Sequence, residues 1–516
     1  MFHEKYSFNH LCLILPFQII ATLILISGRP AAFAENYGEH SFRLLHAVGA
    51  YSQPAVSELD SNHANGPEVV IAGGNGTVAA YRLDGSVVWS RDLPNRTCQA
   101  PNNDKLYSSP VVANLFGDSR KFIIVGYGGF RVKECDGGVV ALNANDGTIF
   151  WIFSIKKFAK KKKFFAFRHA VFAKPAVADV DGDGKMEIGF GSFDRNIYLL
   201  GANGKPRWYY NAADTVWSSP TFADINGDGK LELIIGSDIS QNLRMKPPTH
   251  NGGYLYALKT DNLRGKLVPF RSPRLVIWQK AFEQVIHSAP VIAELIPNNP
   301  GSEIVIGSGC FFPQNTNNKI GKWYKVVNLK NGETLATLPI DACTPSAAAI
   351  ADINGDGLNE IIGFSNGSKK LGGSGRSYIF AWDPRAAAEL WRINVDDFTS
   401  GDPFLGHFKG PALFANSCSQ NLLLASPIHN WLALSDPTTD EILETYRTQS
   451  GRISSTPTIA DLNGDDNPDV IYAAGNRLYY LLESCDTPPP IATPTPTPMP
   501  PIPTPIMTPI VTAIIN

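Results

Sequence analysis

Nearly the same nine residues occur four times in this chain: Asp179-Val-Asp-Gly-Asp-Gly-Lys-Met-Glu187, Asp224-Ile-Asn-Gly-Asp-Gly-Lys-Leu-Glu232, Asp352-Ile-Asn-Gly-Asp-Gly-Leu-Asn-Glu360 and Asp461-Leu-Asn-Gly-Asp-Asp-Asn-Pro-Asp469. Oxygen side chains fall at positions 1, 3, 5 and 9: Asp179, Asp181, Asp183 and Glu187; Asp224, Asn226, Asp228 and Glu232; Asp352, Asn354, Asp356 and Glu360; Asp461, Asn463, Asp465 and Asp469. The seventh residue, Lys185, Lys230, Leu358 or Asn467, adds a backbone carbonyl. A short loop with hard oxygen donors at this spacing suits calcium, which takes six to eight oxygens, and the expectation is about four sites. Gly184, Gly229 and Gly357 stand at position 6, where the chain must turn sharply; the fourth copy has Asp466, a residue type that tolerates left-handed geometry. Ordinary Asx turns use the same residues, but four near-identical copies point to a shared ligand.

The loops are not EF-hands. Their twelfth positions are Phe190, Ile235, Gly363 and Tyr472 rather than a bidentate Glu, and short apolar runs such as Glu232-Leu-Ile-Ile-Gly236 follow them. Each loop therefore joins two strands. Eight segments carry the same register, beginning Pro54-Ala-Val, Pro110-Val-Val, Pro175-Ala-Val, Pro220-Thr-Phe, Pro290-Val-Ile, Ala348-Ala-Ile, Pro411-Ala-Leu and Pro457-Thr-Ile. The loops start 45, 128 and 109 residues apart, so each wide gap holds a unit whose loop has decayed. Glu58, Asn114, Glu294 and the region near Asn416 occupy the first loop position in the four units without a full ligand set.

After each loop come a strand ending in Gly, a second apolar strand, a turn, and a strand with a tryptophan, as in Val139-Val-Ala-Leu-Asn143 followed by Gly147-Thr-Ile-Phe-Trp151. Four antiparallel strands per repeat predict an all-β fold, a β-propeller whose blades bury their faces only by closing a ring. The expectation is an eight-bladed β-propeller of four-stranded antiparallel blades, or seven if the least regular seventh unit is only an excursion. The last unit stops after Arg477-Leu-Tyr-Tyr-Leu-Leu482, and Ser41-Phe-Arg-Leu-Leu-His-Ala47 can supply its missing outer strand.

The Asp-x-Asn-Gly-Asp-Gly loop, followed by an apolar strand and a glycine, resembles the FG-GAP/VCBS repeats of the integrin α propeller and of many bacterial exported proteins. The resemblance spans residues 41–485 and implies a calcium-bound propeller, often serving adhesion or glycan recognition. A second resemblance is confined to one unit. Ala141-Leu-Asn-Ala-Asn-Asp-Gly147 leading to Trp151 is similar to the tryptophan-docking repeat of quinoprotein dehydrogenases, which use pyrroloquinoline quinone (PQQ) with calcium; the adjacent cysteine pair of that family is absent here.

Residues 1–34 read as a secretory signal peptide: Lys5 in a polar start, a mostly apolar stretch from Leu11 to Gly28, and Ala32-Phe-Ala34 before the cut. A retained anchor is the alternative; after cleavage no stable membrane span remains. Removing the segment leaves 43 basic and 46 acidic residues, a balance that selects no partner. Export disfavours nucleic acid and points to a secreted, periplasmic or cell-surface location, with a monomer expected. Of the seven cysteines, Cys12 falls in the signal segment. Cys98, Cys135, Cys310, Cys343, Cys418 and Cys485 remain, and strand order favours sequential disulfides among the fifteen possible pairings. Residues 486–516 form a Pro/Thr-rich tail that cannot build a core.

In a four-stranded meander the calcium loops share one face, and the long second-to-third turns and blade crossings lie on the other. The crossing Ile155 to Lys174 holds Lys156, Lys157, Lys160, Lys161, Lys162, Lys163 and Arg168 interleaved with Phe158, Phe164, Phe165 and Phe167, either a surface suited to an acidic polysaccharide or another anionic polymer or a solvated charge run on an open, flexible loop. Around the channel mouth Tyr51, Tyr107, Ser108, Trp217, Ser218, His287, Ser288, Phe408, Lys409 and Ser454 form a ring that either binds a small ligand or packs the strand starts. No catalytic constellation stands out. The expected function is a secreted calcium-binding recognition or adhesion module for a polysaccharide or protein partner. The alternative is an exported enzyme on the same scaffold, polysaccharide-degrading or PQQ-dependent.

Overall fold

The computed structural model describes residues 37–483 apart from 48, 50–51, 60–65, 95–107, 130–134, 165, 167, 310–320, 366, 368–373, 398–409, 416–420, 429, 440 and 454. The signal segment, the Pro/Thr-rich tail, Cys98, Cys310, Cys418, Cys485, Tyr51, Tyr107, Phe165, Phe167, Phe408, Lys409, Asn416 and Ser454 lie outside the described residues. The eight segments singled out in the sequence each supply the innermost strand of one sheet: Ala55–Ser57, Val111–Ala113, Ala176–Ala178, Thr221–Ala223, Val291–Ala293, Ala349–Ala351, Ala412–Ala415 and Thr458–Ala460. Each strand begins one residue after its marker, usually a proline, which has no N–H to give a ladder and so stands just outside it.

Eight antiparallel meanders follow, numbered here as blades 1 to 8. Blade 3 runs Ala176–Ala178, Glu187–Gly191, Asn196–Leu200 and Pro206–Asn211, each strand antiparallel to the last. The inner strand of blade 1 touches those of blades 2 and 8, and Thr458 Oγ1 donates to the Pro54 carbonyl at 2.6 Å across the seam. The ring is closed, and the seventh unit is a full blade.

The outermost strand of blade 8 comes from the other end of the chain. Tyr37–Arg43 pairs antiparallel with Arg477–Glu483, from Tyr37 opposite Glu483 to Arg43 opposite Arg477. This strand lies four residues ahead of the Ser41–Ala47 expected from sequence. Leu44 N closes the ladder on the Asn476 carbonyl. Beyond it the Tyr81 hydroxyl accepts from His46 N and Ala47 N, turning that segment onto blade 1.

Burial explains the patterning. Second and third strands such as Glu68–Ala72 and Thr77–Tyr81 are buried throughout, because blades cover both their faces, whereas outer strands such as Val87–Asp92 alternate with solvent. The outer-strand tryptophans fasten neighbouring blades. Indole N–H groups donate to backbone carbonyls of the next blade, Trp89 to Ala144 at 2.7 Å, Trp151 to Ala202 at 2.9 Å, Trp278 to Leu329 at 2.9 Å and Trp391 to Pro437 at 2.8 Å. Trp89, Trp151 and Trp278 each lie on a turn glycine, Gly147, Gly204 and Gly332, where no side chain would fit. At the seam Phe42 covers Gly85, and the Tyr480 hydroxyl donates to the Leu83 carbonyl in place of an indole.

The crossing from blade 2 to blade 3 departs from the expected open loop. Ile155–Lys162 is an α-helix capped by the Ser154 hydroxyl, which accepts from Lys157 N, and ended by Lys163 in the left-handed region (φ 59°). Ile155 and Ala159 are buried. Phe158 packs edge-on against Tyr198 and Tyr209, and Phe164 stacks on Tyr209. Helical periodicity turns Phe158 inward, and Phe164 follows just past the left-handed C-cap, so the two rings fasten the helix rather than edging a ligand surface. Among the described residues no helix is long and apolar enough to cross a membrane.

Candidate metal centres

Each nine-residue loop connects the inner strand of its blade to the second strand, and all four fold by the same hydrogen bonds. The position-1 aspartate gathers the loop's N–H groups. Asp224 Oδ1 accepts from Asn226, Gly227 and Asp228 and its Oδ2 from Gly229; Asp179, Asp352 and Asp461 do the same from position 4 onward. The position-5 carboxylate accepts from N–H of position 7, as Asp183 does from Lys185 and Asp465 from Asn467. Positions 4 and 6 both take positive φ; at position 6 of the fourth loop Asp466 adopts 63° where the others have glycine.

Position 9 has a role that the ligand pattern alone hides. Its carboxylate is buried at the first residue of the second strand and accepts from N–H of position 2: Val180 to Glu187, Ile225 to Glu232, Ile353 to Glu360 and Leu462 to Asp469, at 2.8 to 3.2 Å. Two decayed loops keep this staple. Leu59 N donates to Glu68 and Leu295 N to Glu303, each at 2.8 Å, although neither loop keeps the nine-residue motif. The sequence signal was present as an acidic residue just ahead of the apolar run, in Glu68-Val-Val-Ile and Glu303-Ile-Val-Ile as in Glu232-Leu-Ile-Ile. In blades 2 and 7 Phe122 and Leu422 begin that strand.

In two loops, 224–232 and 461–469, no Lys or Arg among the described residues pairs with the acidic donors. Burial raises the pKa of Glu232, and Asp228, Asp224 and Asp261 raise it further. Burial, assisted by Asp465 and Asp461, pushes Asp469 up to about 6 against two backbone hydrogen bonds. Asp224 moves the other way: burial pushes it up, but four backbone N–H groups outweigh that and hold it low. Packed carboxylates without a counter-cation are what a calcium ion would relieve.

The other two loops contain their own cation. In loop 179–187 the Arg207 guanidinium reaches Asp181 at 2.5 Å and Glu187 at 2.7 Å, and Asp179, Asp181 and Glu187 bring oxygens within 4.8 Å of one another. In loop 352–360 Arg385 reaches Glu360 at 2.9 Å and Asp356 at 3.3 Å while bonding Asp383 at 2.6 Å. Burial raises Glu187 and Glu360, and the neighbouring arginine opposes the rise in each.

The opposite face carries the other residues singled out in the sequence. Trp217 and His287 meet there with ring centroids 5.3 Å apart. His287 Nε2 lies 2.7 Å from Asp238 Oδ1, and Thr215 Oγ1 donates to Asp238 Oδ2 at 2.8 Å. The ring serines are engaged by backbone: Ser108 by Ala173 O and Gly126 N, Ser218 by Ser288 O, and Ser288 by Gly307. Lys160, Lys161 and Lys162 stand in the last turn of the helix and Lys163 is its C-cap. Cys135 and Cys343 are each buried and disulfide-bonded; the cysteines expected opposite them lie outside the described residues.

Residues 179–235, spanning the first two loops, match the model of the FG-GAP-like repeat. No curated protein matches the chain. Among solved structures the fold is similar to the quinohemoprotein alcohol dehydrogenase of Comamonas testosteroni, with TM-score 0.54 and 13% identity over 86% of this chain and 76% of that one. Quinohemoprotein alcohol dehydrogenase ADHIIG of Pseudomonas putida HK5 aligns with TM-score 0.52 and 14% identity over 89% and 77%. Saccharomyces cerevisiae Sqt1 aligns with TM-score 0.52 and 11% identity over 86% and 97%. At such identities the likeness is one of fold.

Proposed function

We propose that this chain is an exported, calcium-stabilised recognition or adhesion module that binds an acidic polysaccharide on the face opposite its metal loops. The observation that carries this reading is the helix Ile155–Lys162. Its phenylalanine is clamped against Tyr198 and Tyr209, so Lys156, Lys157, Lys160, Lys161, Lys162 and Lys163 are presented from a rigid base rather than from an open loop. A fixed cluster of positive charge attracts a polyanion over a Debye length and loses less entropy on binding than a mobile one. Calcium on the other face would hold the strand connections in place, and the neighbouring loops already bond one another, Met186 N to Leu115 O and Leu231 N to Val180 O.

The test is binding of the full chain to polygalacturonate, with neutral dextran as control. Replacing Lys160, Lys161, Lys162 and Lys163 by Gln should weaken binding at least about tenfold, or 1.4 kcal/mol, and flatten its salt dependence. Unchanged affinity would remove the basic face from the argument. The second reading, an exported enzyme that degrades polysaccharide or uses PQQ, is favoured by the Asp238–His287 pair beside Trp217. A quinone chromophore in the purified protein, or product release from the polymer that is lost in His287→Gln, would favour it over simple recognition.

A further inference from the structure

The four loops share a sequence pattern but not an electrostatic state. We infer that arginine holds the place of the metal in two of them, so that the chain has two tight calcium sites, in loops 224–232 and 461–469, rather than four equivalent ones. This rests on the calcium reading given above and divides the loops within it.

Arg207 follows the third-to-outer turn of blade 3, and that turn lies beside the loop of its own blade. The side chain is only 11% exposed and spans two ligand positions, with Nη2 on Asp181 (position 3) and Nη1 on Glu187 (position 9). Arg385 enters loop 352–360 from the equivalent turn of blade 6, with Nη1 on Asp356 (position 5) and Nη2 on Glu360 (position 9), and its Nε is tied to Asp383. In both loops the guanidinium therefore bridges the buried staple carboxylate and a more exposed ligand, the pair of oxygens a central cation would also join. A dication entering either loop has to displace a charge-assisted bridge and leave an arginine beside a positive ion.

Blades 4 and 8 place no such group. Among the described residues no Lys or Arg nitrogen pairs with Asp224, Asp228, Glu232, Asp461, Asp465 or Asp469. The neighbours there are amides instead: Asn226 Nδ2 approaches Asp228 at 3.2 Å and Glu232 at 3.5 Å, and Asn463 Nδ2 approaches Asp465 at 2.9 Å. An asparagine can turn its oxygen to an ion, which an arginine cannot do.

The decisive measurement is calcium stoichiometry and affinity on the full chain, by isothermal titration and equilibrium dialysis after chelator treatment. The wild type should bind two ions at least about tenfold more tightly than any others. Arg207→Gln and Arg385→Gln should each move one more ion into the tight class. Four equivalent ions in the wild type, or no gain in either variant, would overturn the inference while leaving calcium binding intact. No ion bound by any form would overturn the calcium reading itself and this inference with it. A second set of variants decides the matter if the arginine variants do not fold. Asp228→Asn and Asp465→Asn should each remove one tight ion, whereas Asp183→Asn and Asp356→Asn should leave both; the reverse pattern would overturn the assignment.

Discussion

Gly147→Ala isolates the contact that fastens one blade to the next. Gly147 sits at φ 66° in the turn of blade 2, and a methyl group there would lie 2.4 Å from Trp89 Cε3 of blade 1. Two costs add. Left-handed backbone costs a residue with a Cβ about 1–2 kcal/mol, and forcing an extra carbon into a packed site costs about 1–3 kcal/mol, so the variant should lose about 2–5 kcal/mol in all. Gly182→Ala supplies the control, because Gly182 has φ 73° but nothing within 4 Å of the added carbon; it should lose only the backbone part, about 1–2 kcal/mol. The comparison is made in excess chelator so that metal binding at Gly182 does not contribute. Urea unfolding followed by tryptophan fluorescence would rank the variants by midpoint, with Trp89→Leu added to the Gly147→Ala background. That second change should restore part of the loss, since contacting residues couple. Equal losses at Gly147 and Gly182, together with no relief from Trp89→Leu, would refute the view that an indole against a bare backbone joins the blades.

Asp194→Ala should lower the melting temperature, because it strips the acceptor from two buried donors, the Tyr198 hydroxyl at 2.5 Å and the Asn196 amide at 2.8 Å, at about 1–3 kcal/mol for each group left unpaired; Asp194→Asn should recover much of the loss, and an unaffected Asp194→Ala protein would show that these donors find other partners. Chelator should lower the melting temperature and calcium should restore it better than magnesium, each site filled at a hundredfold excess over its Kd contributing about 2.7 kcal/mol; a melting curve indifferent to both would mean that the loops hold themselves closed. Phe42→Ala should weaken the seam by about 2 kcal/mol, below the range for a fully buried phenylalanine, since Phe42 is only partly buried against Tyr81 and Gly85. Hydrogen exchange would show the effect first in Arg477–Glu483, and uniform protection along that strand in the variant would contradict its dependence on the N-terminal partner.

What the sequence disclosed follows from which interactions are local. The inner strands could be located to the residue because a proline, or an alanine at blade 6, stands one position ahead of each, and proline is excluded from a ladder by its own covalent structure. The loop conformation was equally legible, since Asp461 gathers N–H groups only three to five residues away and Asp466 tolerates the turn that glycine takes elsewhere. The N-terminal strand was found but displaced, because its end is set by the Tyr81 hydroxyl catching His46 and Ala47 from another blade. Phe158 and Phe164 of the lysine-rich crossing were read as surface for the same reason: their partners Tyr198 and Tyr209 lie a blade away. The arginines belong to this class as well. Arg207 stands 26 residues from Asp181 and Arg385 25 residues from Glu360, and no feature of the nine-residue motif distinguishes a loop that faces a guanidinium from one that does not. A ligand motif therefore records which oxygens a loop can offer, while the arrival of an arginine among them is decided by the turn that the third and outer strands place beside it.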